Sequence, residues 1–324
     1  MGILERSTGR IEEFTSQLQS GAVLDVGVIK GDRTDGWPAD GQEPRFHVGS
    51  VTKPFTALLL ADMVTRGEIT LDTAVGSYTG VSRTLRDLRI EELVTHTSGL
   101  PRVPPILALT SLRRLRDPYS VITAARMARA LRLSRSSRRR GSHHYSNFGY
   151  GILGHVLGAA VGCTFQALLH ERVLAPLGLL DTVFDIESED RLLPGHSTKG
   201  RVVPHWHNPA MAGCGSLLST RGDLLRFLAA QVDPPSTPMA AALELTHRPM
   251  PLATSTRRMG LGWMISRHDD KDFYWHNGAT FGFGSFLAFQ PDLRTGVVLL
   301  LNQASPRKGR LESLGAAILV DVNS

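Results

Sequence analysis

Ser50 and Lys53 place a hydroxyl and an amine three residues apart in the sequence Ser50-Val-Thr-Lys53. Pro54 follows, and because proline is tolerated only in the first turn of a helix, a helix is predicted to begin at about Ser50. Residues three apart lie on the same helix face, so these two side chains can meet. The free N–H groups of a helix start favour an anionic oxygen. The pattern is therefore typical of a serine nucleophile with a lysine base.

This spacing is weak on its own. Ser305 and Lys308 repeat it without any sign of a helix start. A helix-capping serine beside a solvated lysine is the structural alternative at Ser50 and Lys53. The catalytic interpretation therefore needs further residues of matching chemistry.

Two other segments carry side chains suited to proton transfer and to close substrate approach. In Tyr145-Ser-Asn147 the phenol can carry a proton, and the amide can both donate and accept hydrogen bonds. In His276-Asn-Gly278 the glycine lets a substrate backbone approach a strand, and the N–H groups after it can complete an oxyanion hole. A buried tyrosine in a turn and a structural glycine turn are the alternatives for these segments.

The order of predicted elements separates the two ends of the chain from its middle. Strand-like runs occur before the Ser50 helix and after Pro249, and the stretch between them is mostly helical. We therefore predict an α+β fold with a sheet region from residues 1–70 and 246–324 and a helical region from residues 71–245, packed as one catalytic unit. The predicted helices are 51–65, 88–95, 120–133, 150–158, 164–174, 221–231 and 310–322, and the predicted strands are 22–29, 45–48, 260–265, 272–276, 284–289 and 296–302.

Charge and composition limit the classes of function. The net charge is +6, but ten arginines and one acid fall within residues 113–140, so the basicity is local and does not favour nucleic-acid binding. No run of about 18 apolar residues predicts a transmembrane helix. The N-terminal stretch is typical of an amphipathic helix, not of a secretory signal. We therefore expect a cytoplasmic protein that binds neither nucleic acid nor membrane, with Cys163 and Cys214 reduced.

In this order, the three segments resemble the serine β-lactamase and penicillin-binding-protein superfamily. Its motifs are S-x-x-K, then Y-x-N or S-x-N, then K-T-G or H-x-G. Neighbouring stretches extend the resemblance from about residue 46 to residue 302 and look like the class C β-lactamase-like esterase and D-peptidase branch. These stretches are FHVGSVTK at 46–53, LVTHTSGLP at 93–101, YSNFGY at 145–150, LAPLGL at 174–179 and HNGATFG at 276–282.

The resemblance implies a β-lactamase-like antiparallel sheet flanked by helices and an acyl-enzyme formed on Ser50. Lys53 and Tyr145 would take and return protons, and Asn147 would hold the acyl side of the substrate. The N–H groups of Ser50 and Ala279 would form the oxyanion hole.

The same resemblance implies that His276, Asn277 and Gly278 line a strand edge beside the substrate. It implies no metal and no organic cofactor. The motifs His143-His144 and His205-x-His207 lack a third ligand at a suitable spacing, so the sequence does not favour zinc either.

Two departures from the family pattern concern the substrate. His276 stands where many relatives have lysine, which is more typical of esterases, amidases and D-peptidases than of efficient β-lactamases. The charge of a histidine depends on pH, so recognition of a carboxylate there would be conditional. The loop before Tyr145 is rich in arginine, and we hypothesise that Arg138, Arg139 and Arg140 recruit an anionic or carrier-bound acyl donor. A solvated surface loop is the alternative.

The predicted function is therefore serine acyl transfer that cleaves an ester, thioester or amide of a small-molecule donor. A biosynthetic acyltransferase, which passes the acyl group to an alcohol or amine, is the first alternative. A non-catalytic penicillin-binding-like scaffold is an alternative of another class, although Ser50, Lys53 and Tyr145 are all present. The identity of donor and acceptor and the oligomeric state are not predicted.

Overall fold

Strands from the two ends of the chain form one seven-stranded antiparallel sheet, in the order β2-β1-β12-β11-β10-β9-β8. The strands of this sheet are β1 (Leu24–Lys30), β2 (Arg33–Trp37), β8 (Arg258–Met259), β9 (Met264–His268), β10 (Lys271–Ala279), β11 (Gly284–Gln290) and β12 (Thr295–Leu301). The computed structural model describes residues 2–38, 43–78, 80–104, 117, 119–135, 139–185, 188, 190–250, 258–304 and 309–324.

The middle of the chain is mostly helical and adds two small sheets. These sheets contain β3 (Phe46–His47), β7 (Leu217–Ser219) and β4 (Val183–Phe184), and β5 (Gly195–His196) with β6 (Val202–Val203). The α-helices are α1 (Thr8–Ser16), α2 (Thr52–Thr65), α3 (Ile90–Val94), α4 (Ala124–Leu133), α5 (Asn147–Val161), α6 (Phe165–Leu169), α7 (Arg221–Val232), α8 (Ala240–His247) and α9 (Arg310–Asn323).

The centre of the large sheet joins the first strand to the last one. Leu24 of β1 pairs with Leu301 of β12, and the pairing runs to Lys30 and Thr295. Helices α1 and α9 cover one face with an apolar layer, and α7 lies on the other face. The predicted α+β class and the sheet built from both chain ends are thus confirmed.

Helix α2 runs through the interior between the sheet and the helical region. Nearly all of its residues are buried, including the aliphatic run at 57–61. A helix that is apolar on every side is stable only inside the core, so its position is determined by packing on all faces. Its first turn, which carries Lys53, is therefore held rigidly.

Some elements differ from the sequence prediction. Strand β2 and helix α8 were not predicted. Strand β2 lies in a turn-rich segment, and it pairs with β1. Helix α7 falls within the predicted helical region 71–245 but packs on β1 and β12 of the large sheet. In the part of the chain that is described, no single helix is long and apolar enough to cross a membrane; α5 together with residues 165–174 passes the same test with an 81° bend.

Candidate active site

Ser50 lies in a single turn of 3-10 helix, Gly49–Val51, which leads directly into α2. Gly49 has a φ of 51°, a left-handed conformation that glycine adopts without strain. The Thr52 hydroxyl donates to the Gly49 carbonyl at 2.8 Å and accepts from the Leu217 N–H at 3.2 Å. The turn is thus fastened to β7, and the Ser50 side chain remains partly exposed.

The Ser50 hydroxyl is the point at which the predicted catalytic side chains meet. Lys53 Nζ lies 3.1 Å from Ser50 Oγ, and the Tyr145 hydroxyl lies 2.8 Å from the same atom. Both distances are those of hydrogen bonds. Ser50 Oγ therefore has two neighbours that can exchange a proton with it.

Lys53 is completely buried, and its ammonium is surrounded by acceptors. Besides Ser50 Oγ, Nζ donates to Asn147 Oδ1 at 2.9 Å and to the Cys214 carbonyl at 2.7 Å. A buried charge is tolerated only when its donors are satisfied, and three acceptors match the three donors of an ammonium. The segment Gly213–Ser216, which carries the Cys214 carbonyl, thus helps to hold Lys53.

Tyr145 lies between three other cationic or aromatic groups. Its ring centroid is 4.9 Å from Lys53 Nζ, 5.3 Å from Arg102 Cζ and 4.4 Å from the ring of His96. The phenol oxygen points to Ser50, and these three groups lie around the ring. Neither His96 nor Arg102 was identified from the sequence, because only the fold brings residues 96 and 102 to Tyr145.

His96 is a neutral acceptor in this cluster. Burial first, and the charge of Lys53 second, lower the pKa of His96 well below its usual range. Its Nδ1 accepts the backbone N–H of Ser146 at 3.1 Å, and its carbonyl accepts the N–H of His144 at 2.7 Å. His96 therefore anchors the chain on both sides of Tyr145.

Asn147 begins helix α5 and has both ends of its amide engaged. Its oxygen accepts from Lys53, and its nitrogen donates to the Tyr119 hydroxyl at 2.7 Å. Tyr119 is buried, its ring centroid lies 5.2 Å from that of Trp206 in a tilted arrangement, and burial raises its pKa above the usual value. Tyr119 was not singled out from the sequence, and it gives Asn147 a fixed orientation.

The end of strand β10 lies directly against the Ser50 turn. The pairing of β10 with β9 stops at Trp275, whereas its pairing with β11 continues to Ala279, so the last four residues present one open edge. A Cβ atom on Gly278 would lie 2.0 Å from the Val48 carbonyl oxygen and 3.1 Å from the Ser50 nitrogen. A Cβ atom on Gly49 would lie 3.0 Å from the Ala279 nitrogen. The backbone N–H groups predicted to form the oxyanion hole, those of Ser50 and Ala279, therefore lie where the Ser50 turn and the end of β10 are in contact.

His276 and Asn277 alternate in direction along this strand end. His276 is buried, its Nδ1 lies 2.7 Å from the Asn277 carbonyl, and burial together with the charge of Lys53 lowers its pKa to about 3. It is therefore neutral at physiological pH. The Asn277 amide donates to Glu312 of α9 at 2.5 Å, so its side chain is engaged away from Ser50.

The arginines proposed for substrate recruitment have different surroundings. Arg138 lies outside the described residues, and Arg139 is exposed. Arg140 donates to both carboxylate oxygens of Glu92, at 2.6 and 2.7 Å, and to the Asp87 carbonyl. Its guanidinium is thus engaged in a structural ion pair, which makes it a poor candidate for binding a substrate anion.

Histidines and cysteines elsewhere do not form a ligand set in the described part of the chain. No group of three or more His, Cys, Asp or Glu side chains there is arranged to hold a metal ion. His207 Nδ1 lies 3.9 Å from Asp117, and both Cys163 and Cys214 are free thiols.

The sequence matches known proteins over most of its length. The family described as Beta-lactamase matches residues 16–320. A Beta-lactamase of Escherichia coli (strain K12) is 24% identical over 84% of this chain and 79% of its own length. Penicillin-binding protein 4 of Amycolatopsis lactamdurans is 26% identical over 79% and 72%, and the Unguisins hydrolase ungD of Aspergillus violaceofuscus (strain CBS 115571) is 23% identical over 79% and 52%.

Solved structures of the same fold resemble the whole chain. A class C beta-lactamase superposes with a TM-score of 0.85 at 19% identity and covers 98% of this chain and 96% of its own. The class C beta lactamase from Rhodobacter sphaeroides gives 0.79 at 21% identity, with 97% and 98% covered. At these sequence identities, the structural similarity establishes the fold and nothing further.

Proposed function

The chain belongs to the beta-lactamase family of serine hydrolases, and from this premise we propose that it cleaves a carboxylic ester or amide through an acyl-enzyme on Ser50. One observation carries the proposal: Ser50 Oγ is within hydrogen-bond reach of both Lys53 Nζ and the Tyr145 hydroxyl. A nucleophile beside two groups that can take and return its proton has the geometry that covalent catalysis requires.

In the proposed reaction, the Lys53–Tyr145 pair holds one proton fewer than an ammonium with a phenol, and it accepts the Ser50 proton as Oγ attacks the carbonyl carbon. The amides of Ser50 and Ala279 donate to the oxygen on which negative charge develops. When the carbonyl re-forms, the bond to the leaving alcohol or amine breaks, and the same pair returns the proton to it. Water then attacks the acyl-enzyme and gives a proton to the pair. The pair passes this proton to Ser50 Oγ as the acyl–oxygen bond breaks and the acid leaves.

The environment of His276 supports esters and amides over β-lactams as substrates. Because its pKa is lowered to about 3, the residue that stands where many relatives have lysine carries no charge at neutral pH. It offers no ion pair to the carboxylate of a β-lactam at this strand edge. We therefore propose an esterase, amidase or D-peptidase type of activity.

The proposal is tested by intact-mass spectrometry with p-nitrophenyl esters, peptide amides and β-lactams, together with turnover assays. We expect a single acyl adduct on the unaltered protein and none on Ser50→Ala, with release of the acid to water. Ser305→Ala is a matched control, because Ser305 also has a lysine three residues later. It should be acylated normally.

Two results would contradict the proposal. Acylation that persists in Ser50→Ala would move the nucleophile elsewhere, and the absence of any adduct with every class of donor would favour a non-catalytic scaffold. Alcohols or amines added during turnover test for acyl transfer. If such an acceptor receives most of the acyl groups in competition with water, the protein is an acyltransferase and not a hydrolase.

A further inference from the structure

Arg102 places a positive charge at the exposed side of the candidate active site. It follows the buried segment 93–100, and its own side chain is exposed. Its guanidinium carbon lies 5.3 Å from the centre of the Tyr145 ring, whose hydroxyl is 2.8 Å from Ser50 Oγ. One aromatic ring thus separates this cation from the nucleophile.

The guanidinium of Arg102 has no carboxylate partner among the described residues. The guanidinium lies over the face of Tyr145, and the Arg102 carbonyl accepts from the N–H of Phe148 at 3.1 Å. A guanidinium that lies over an aromatic ring keeps N–H groups available for hydrogen bonds. A planar, bidentate partner such as a carboxylate matches that edge.

The other positive groups around the site are not available in the same way. Lys53 is buried and its three donors are engaged, and Arg140 is paired with Glu92. His276 and His96 have lowered pKa values and are neutral. The positive charge of Arg102 also acts electrostatically on three buried groups of the site, His96, Tyr119 and Cys214.

We propose that Arg102 binds a carboxylate carried by the substrate, so that the enzyme prefers anionic esters or amides over neutral ones. This inference rests on the proposed function of Ser50. It moves the anion-binding cation from the open end of β10, where His276 stands, to the loop on the other side of Tyr145. Arg102 would then determine specificity without taking part in proton transfer.

The test uses two pairs of esters of similar size, each with one neutral and one anionic member. The first pair is p-nitrophenyl hexanoate and mono-p-nitrophenyl adipate, which has a carboxylate at the end of the acyl chain. The second pair is methyl 4-acetoxybenzoate and 4-acetoxybenzoate, which carries the charge on the leaving group. Values of kcat/KM are measured for the unaltered protein, Arg102→Gln, Arg102→Lys and Arg129→Gln.

We expect Arg102→Gln to lower kcat/KM for the anionic member of at least one pair by about tenfold, the ratio that corresponds to about 1.4 kcal/mol of binding energy. The neutral members should change by less than about twofold to threefold. Arg102→Lys should retain part of the preference, because a point charge replaces a bidentate fork. Arg129, an exposed arginine of α4, is the matched control, and its loss should change neither member.

Equal losses on charged and neutral esters in both pairs would overturn the inference and would show that Arg102 only positions Tyr145. Unchanged rates in Arg102→Gln would overturn it as well. Failure of the proposed function gives a different result: the unaltered protein would form no Ser50 adduct with any of the four esters. The pair in which the selective loss occurs identifies the side of the scissile bond that faces Arg102.

Discussion

Two tyrosines of one segment, Tyr145 and Tyr150, allow the same atom to be deleted in two different surroundings. The Tyr145 hydroxyl lies 2.8 Å from Ser50 Oγ in a partly exposed position. The Tyr150 hydroxyl donates to the Val94 carbonyl at 2.9 Å, and its side chain is completely buried. Replacement by phenylalanine removes one oxygen in each case. We expect opposite consequences for activity and stability.

The magnitudes follow from these surroundings. In Tyr145→Phe the Ser50 hydroxyl keeps Lys53 as a partner and can bond water, so the free energy of unfolding should fall by less than about 1 kcal/mol. If the oxygen carries a proton in the reaction, kcat should fall by about 10²-fold to 10⁴-fold. In Tyr150→Phe the buried Val94 carbonyl loses its donor, which should cost about 1–3 kcal/mol of stability. Its kcat should stay within about threefold, because this hydroxyl is bonded to the Val94 carbonyl and not to Ser50.

The assay measures kcat and KM with a p-nitrophenyl ester and unfolding in urea for both variants. A loss in Tyr145→Phe that is confined to KM would mean that Tyr145 positions the substrate and transfers no proton. Equal loss of kcat in both variants would refute the reasoning altogether, because removal of a hydroxyl bonded to the Val94 carbonyl would then cost as much activity as removal of the hydroxyl bonded to Ser50.

Three further predictions concern Lys53, Tyr119 and His247. Lys53→Arg should reduce kcat about 10²-fold or more, nearly as much as Lys53→Ala, because a guanidinium is not a base near neutral pH; near-normal turnover in the Arg variant would limit Lys53 to supplying charge. Tyr119→Phe should lower kcat by about threefold to tenfold with little change in KM for a small ester, because it frees one end of the Asn147 amide; no change in kcat would mean that the amide is positioned without it. Burial lowers the pKa of His247 to about 4, so the unfolded chain binds its proton first as the pH falls below about 6.5, and stability is lost from there downward. This residue should account for about 2 kcal/mol of lost stability between pH 7.5 and 5, and urea titrations of His247→Gln should show a correspondingly smaller loss, with an unchanged loss contradicting the assignment.

Local spacing was sufficient to predict part of the site from the sequence. Ser50 and Lys53 could be paired because a helix places residues three apart on one face, and Pro54 marks the helix start. Tyr145 and Gly278 needed the resemblance to a family, because nothing local connects residues so far apart along the chain. The confirmed fold class likewise followed from the order of strands and helices.

The parts that were missed depend on contacts that no local pattern encodes. His96, Arg102 and Tyr119 gain their meaning only when the fold brings them to Tyr145 and Asn147. Strand β2 is polar and glycine-containing, and it becomes a strand because β1 supplies a hydrogen-bonding partner. In these places tertiary contacts outweigh intrinsic propensity.

The pairing of β1 with β12 has a consequence for how the protein is made. Leu24 pairs with Leu301, so all the residues between them must be synthesised before the centre of the sheet can form. At roughly 5–20 residues per second, the first strand waits on the order of tens of seconds for its partner. Six of its seven residues are buried in the finished sheet, so a largely apolar segment stays exposed on the ribosome during that time. The helical middle, whose contacts are more local, can begin to organise earlier. Sheet closure becomes a late step, for which chaperone protection of β1 is an advantage.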